Sequence, residues 1–93
     1  MKVTICGVPH EIIECESNFN IDLHMGQIDY GDATIRINKD LAKPIYDVSL
    51  IHEWLHGALV LLGYNEQSQD EQFVQALAAA INGSFDIRLE ESK

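Results

Sequence analysis

The sequence predicts an α+β fold, in which a small three- or four-stranded, mostly antiparallel sheet packs on two helices. Three observations predict it. The first fifteen residues hold two runs of β-formers broken by turn residues. Residues 33–38 alternate apolar with polar, the period of a strand. Two later stretches carry apolar residues at helical spacing and are divided by Gly63.

The elements follow in order. Residues 2–6 and 11–15 read as strands, with Gly7-Val8-Pro9-His10 as a four-residue hairpin loop. Residues 16–32 are polar and irregular, with room for a short strand at 19–23. In the next strand Ala33, Ile35 and Ile37 line one face and Thr34, Arg36 and Asn38 the other. Its unpaired edge is the expected receiver of an extended peptide. Pro44 then closes a loop, and Asp47 is the expected N-cap of the first helix. That helix runs through Leu62 and stops at Gly63, with Ile51, Leu55, Ala58, Leu59 and Leu62 as its apolar stripe. The second helix begins near Ser68 and ends at Asn82-Gly83, with a stripe of Phe73, Leu77 and Ile81. Residues 85–89 alternate again and read as a last strand or as a docked extended segment.

The 93 residues form a single domain, 1–93, with no linker, repeat or low-complexity segment. At this size burial is limited, so a metal that binds only the folded chain adds stability. Net charge is −9, which argues against nucleic-acid and anionic-membrane partners, since both need a basic face. No apolar run has the length of a membrane span, and the N-terminus lacks a secretory signal. Cys6 and Cys15 are too few for a disulfide scaffold and read as reduced thiols in strands. The expectation is a cytoplasmic protein.

The chemistry concentrates in His52-Glu53-Trp54-Leu55-His56. Residues four apart on a helix share a face, so His52 and His56 can point at one zinc ion. Glu53 lies about 100° round the helix from His52, beside the metal and not on it. There it can act as general base towards a water that zinc has made more acidic. With 4 His and 8 Glu in the chain, random placement gives the spelling in roughly 1% of sequences, so the motif is moderately specific.

An open zinc site needs a third protein ligand. No histidine follows His56, so a carboxylate from the start of the second helix is preferred. Ser68-Gln69-Asp70-Glu71 is also a capping-box spelling, in which Glu71 only caps its own helix. Asp70 lies nearer the apolar stripe. The residues alone leave Glu71 and Asp70 evenly matched. His10 and His24 stand outside any motif, and Trp54 reads as core. Hydrolysis also needs a donor for the developing oxyanion, for which Tyr30 and Tyr46 are better placed than Tyr64.

Three stretches, "GQIDYGDATIRINKDL", "SLIHEWLHGAL" and "DEQFVQALAAAI", resemble the small phage and prophage zinc metallopeptidases of the ImmA/IrrE-like kind, a minimal gluzincin arrangement. The resemblance covers most of the chain. It implies a zincin-like fold, Zn²⁺ as cofactor, a peptide or protein substrate, and metal ligands His52, His56 and Glu71 with Glu53 as catalytic base. In such proteins the second helix opens on a glutamate shortly before an apolar residue and an alanine-rich stretch, the pattern of Glu71-Gln72-Phe73-Val74-Gln75-Ala76. The function expected is therefore a zinc-dependent metallopeptidase. The alternative is an acidic phage-type accessory protein whose zinc stabilises the fold or binds a host protein without cleavage.

Overall fold

The computed structural model describes residues 1–16 and 26–91. The chain is α+β. Strands β1 (Lys2–Ile5), β2 (Val8–Cys15), β3 (Gly26–Asp29) and β4 (Thr34–Asn38) are followed by helices α1 (Lys43–Leu61), α2 (Asn65–Ser68) and α3 (Glu71–Asn82). The sheet has the order β1-β2-β4-β3 and is mixed. β1 and β3 pair antiparallel with β2 and β4, but β2 and β4 run parallel to each other.

β1 and β2 meet through a tighter turn than the sequence suggested. Ile5 pairs with Val8, so only Cys6 and Gly7 remain in the loop. Both have positive φ, 50° and 82°, the requirement of a type I′ turn, whose twist matches that of the flanking strands. Pro9 sits in β2 before its pairing with β4 begins at Glu11, so no ladder bond is lost there.

β3 falls at Gly26–Asp29, inside the stretch read as irregular. Its single large apolar residue, Ile28, gives too weak an alternation to mark it. The suggested strand at 19–23 and His24 lie outside the described residues. Tyr30, Gly31, Asp32 and Ala33 close the hairpin to β4, and the Asp32 amide donates to Asp29 Oδ1 (3.0 Å). In β4 the alternation holds, with Ile35 and Ile37 fully buried. β4 nevertheless has no unpaired edge, because β2 and β3 flank it on both sides. The strand that ends the sheet on that side is β3.

α1 starts four residues before Asp47. Pro44 lies in its first turn, where a fixed φ suits a helix and a missing N–H costs nothing. Asp47 is not the N-cap; its carboxylate instead meets Lys43 Nζ at 2.9 Å, one turn back. The helix stops in a Schellman arrangement at Gly63 (φ 89°), where Tyr64 N–H donates to Leu59 O (2.7 Å) and Gly63 N–H to Val60 O (3.1 Å).

α1 lies between the sheet and α3. Leu50 and Ala58 pack with Val3, Ile5, Ile12, Ile35 and Ile37 on the sheet side. Ile51 and Leu55 pack with Val74 and Ala78 of α3 on the other. The second long helix therefore packs on α1 and not on the sheet. Its buried stripe is centred on Val74 and Ala78, one residue past the expected Phe73, which is exposed, as is Leu62 of α1. Small Ala78 lets the two helices approach. The tail docks as an extended segment, with Ile87 and Leu89 on the core and one two-bond bridge between Lys2 and Glu90.

Gly57 controls the gap between α1 and the sheet. A Cβ at this position would stand 2.8 Å from both Ile28 Cδ1 and Ile5 Cδ1. Gly57→Val should therefore overpack the interface and cost about 1–3 kcal/mol, read as a lower urea midpoint at unchanged m-value. A midpoint equal to wild type would show that the gap tolerates a side chain.

Candidate metal centre

Both histidines of the motif project from the same face of α1, one turn apart, into an open cleft of about 230 Å³. The cleft is bounded by Gly26, Gln27 and Ile28 of β3, by Tyr30, and by Ser68, Gln69 and Glu71. His52 Nε2 and His56 Nε2 stand 3.1 Å apart. Glu71 reaches across from the first turn of α3, with Oε2 at 3.0 Å from His52 Nε2 and Oε1 at 3.1 Å from His56 Nε2. Each of the three offers one ligand atom, and these atoms lie within 4.8 Å of one another.

The start of α3 determines which carboxylate arrives. Asp70 is the N-cap, accepting from Phe73 N–H at 3.1 Å. Its carboxylate is thereby tied to its own helix. Glu71 is the first helical residue and is free to point at α1. Ser68 is not the N-cap. It ends α2, is buried, and its Oγ lies 3.1 Å from His56 Nδ1. The capping-box spelling is therefore not used as one.

Each imidazole is held from behind. His52 Nδ1–H donates to Gln75 Oε1 (2.8 Å). His56 Nδ1–H donates to Ser68 Oγ, whose own proton goes to the His56 carbonyl (3.4 Å). Both Nε2 atoms are then left with lone pairs directed at the same point as the Glu71 carboxylate. Among the described residues no lysine or arginine lines the cleft. Three converging acceptors without a cationic side chain suit a divalent cation. Tetrahedral N and O ligands about 2.1 Å from zinc stand about 3.4 Å apart; the two imidazole nitrogens are 3.1 Å apart, and Glu71 meets each of them with a different oxygen. Burial pushes the His56 pKa below its ordinary value; the Glu71 charge works against this and His52 with it. The neutral form favoured by burial is the one that binds metal.

Glu53 is buried and lines the same cleft without joining the three converging groups. Gly26 faces it across the cleft: a Cβ there would touch Glu53 Cγ at 3.4 Å, an ordinary contact, but would clash with Ile37 Cδ1 at 2.7 Å. Tyr30 stands at the cleft wall. Partial burial raises its pKa, a hydrogen bond with Ser68 opposes this, and the charges of Glu53 and Glu71 add to the rise. Tyr46 lies elsewhere, donating to Glu14 Oε2 at 2.6 Å. His10 is buried in β2 with its Nδ1–H on the Val8 carbonyl (2.9 Å). The sequence marks Ser68 only as a helix cap and does not mark Gln75. The only signal for Gln75 is that it follows Glu71 by four residues.

A larger cavity, about 520 Å³, lies between β1, α1 and the tail, lined by Val3, Ile51, Trp54, Ile81 and Ile87 among others. None of the converging groups reaches it, so size does not mark the chemistry here. Cys6 and Cys15 are free thiols. No helix among the described residues is long and apolar enough to cross a membrane.

Protein purified without chelator should carry about one zinc per chain. Glu71→Ala should weaken zinc binding strongly. Asp70→Ala should cost only about 1 kcal/mol of stability through the lost cap, with zinc affinity intact. Competition with a chelating dye checks both; loss of zinc in Asp70→Ala but not in Glu71→Ala would reverse the assignment.

Compared with models of known protein families, with curated proteins and with solved structures, the chain matches none, so the metal reading rests on this geometry alone.

Proposed function

We propose that the chain is a zinc-dependent peptidase of zincin type, acting in the cytoplasm and of the phage-associated kind that its sequence resembles. The observation that carries the reading is the convergence of His52, His56 and Glu71 in an open cleft that also holds Glu53. A site that served folding alone would have no need of that glutamate or of access from solvent.

Bound zinc would supply Lewis acidity, polarising a carbonyl and acidifying water. The protein's own groups do the rest. Glu53, shielded from solvent, accepts the proton of the attacking water and passes it to the leaving amine. Tyr30, which also lines the cleft, is the group that can donate its hydroxyl to the carbonyl oxygen as charge develops there. The outer edge of β3, which pairs with no other strand among the described residues, offers backbone donors and acceptors to an extended peptide. β3 thus takes the role that the sequence alone assigns to residues 33–38.

One observation favours a second reading. The candidate ligands straddle α1 and α3, whose shared cluster contains only four buried residues. A metal there would staple the two helices, and the protein could bind a partner without cleaving it.

Glu53→Gln separates the two. The variant should keep its zinc and its melting temperature and lose about 100-fold or more of cleavage, the scale of a general base. The assay is incubation with a diverse peptide library and mass spectrometry of the products. Undiminished cleavage by Glu53→Gln would remove Glu53 from the mechanism. Zinc-loaded wild type that cleaves nothing would favour the staple.

A further inference from the structure

We propose that Gln75 is a positioning residue for the metal centre, fixing the tautomer and orientation of His52. The inference rests on the metal reading above and goes beyond it by assigning a role to a side chain that cannot itself reach the ion.

Gln75 Oε1 lies 2.8 Å from His52 Nδ1. An amide oxygen only accepts, so the imidazole proton must sit on Nδ1. The lone pair is then on Nε2, the atom that faces Glu71 at 3.0 Å and His56 at 3.1 Å. With the proton on Nε2 instead, His52 would point an N–H at the place a cation must occupy. Gln75 thus selects the tautomer that can ligate.

Position on the helix makes the arrangement rigid. Gln75 follows Glu71 by one turn of α3, so both side chains lie on the same face of that helix. α3 supplies a carboxylate to one nitrogen of His52 and an acceptor to the other. The ring is held at both ends by a single element. His56 is fixed in the same sense by Ser68, which accepts from Nδ1–H and returns its own proton to the His56 carbonyl. Two imidazoles and a carboxylate therefore converge on one point.

Gln75 is also exposed and belongs to neither hydrophobic cluster. A glutamine in such a place with no role beyond solvation could be replaced without consequence. This makes the proposal easy to test, because the substitution leaves the core untouched.

The test compares wild type, Gln75→Ala and Gln75→Glu. Zinc affinity is measured by competition with a chelating dye, and the visible spectrum is recorded after loading with cobalt(II). Gln75→Ala should bind zinc about 10- to 100-fold more weakly, as loss of an outer-shell partner does, and its cobalt bands should shift. Its metal-free melting temperature should equal that of wild type. Gln75→Glu keeps an acceptor at the same reach and should restore both affinity and spectrum. Wild-type affinity and spectrum in Gln75→Ala would overturn the role of Gln75 while leaving the metal centre standing. Equal losses in Gln75→Ala and Gln75→Glu would overturn it too, since the acceptor would not be what matters. Wild type that binds no zinc would overturn the metal reading, and this inference with it.

Discussion

The site depends on how closely α1 lies against the sheet. α1 carries both histidines and Glu53, and it is the one element shared by the two hydrophobic clusters. Its distance from the sheet is set at Gly57, directly after His56, where Ile5 of β1 and Ile28 of β3 occupy the space of a side chain. A second glycine, Gly26, leaves space on the strand side, where a Cβ would clash with Ile37 of β4. With both positions bare, the backbone of β3 can run alongside the histidine pair. A wider gap would move the strand edge away from His52 and His56 and expose Glu53 to water. The packing of the core and the geometry of the cleft are therefore one constraint.

The electrostatics follow from the same placement. Among the described residues no cationic side chain lines the cleft between α1 and β3. Glu71 enters from α3 because Val74 and Ala78 are the residues buried against Ile51 and Leu55. Burying those two turns Glu71 and Gln75, on neighbouring positions of the helix wheel, towards His52. Had the stripe been centred on Phe73, as its size suggests, the carboxylate would have been rotated away. Polar order at the site is thus a by-product of which apolar residues α3 buries.

This explains what could be read in the sequence and what could not. β4 and the two long helices are legible because their periodicity is strong over several residues, as Ile35 and Ile37 or Ile51, Leu55 and Ala58 show. The histidine pair is legible because an i, i+4 spacing on a helix is a local fact. β3 is not, since Gly26–Asp29 carries one large apolar side chain and is defined by its pairing with β4. The parallel pairing of β2 and β4 is likewise a property of topology and not of either strand. The approach of Glu71, and not Asp70, to the histidines turns on where α3 begins. One residue decides between a cap and a side chain free to point at α1, and boundaries are the least legible part of any helix. Ser68 and Gln75 lie further still from view, because their bonds to His56 and His52 span 12 and 23 positions in sequence.

The two edges of the sheet differ among the described residues. An exposed strand edge is a hazard that proteins usually cover. At β1 the covering is thorough for so small a chain. Lys2 exchanges two backbone bonds with Glu90 of the tail, and the Thr4 carbonyl accepts from Trp54 Nε1–H at 3.0 Å. Trp54 lies inside the histidine motif, so the same turn of α1 that points His52 and His56 into the cleft closes the far edge of the sheet with its other face. At β3 no described residue provides such a cover, and this is the edge beside His52, His56 and Glu53. Among the described residues the sheet is thus covered along β1 and bare along β3, the strand beside the converging His52, His56 and Glu71.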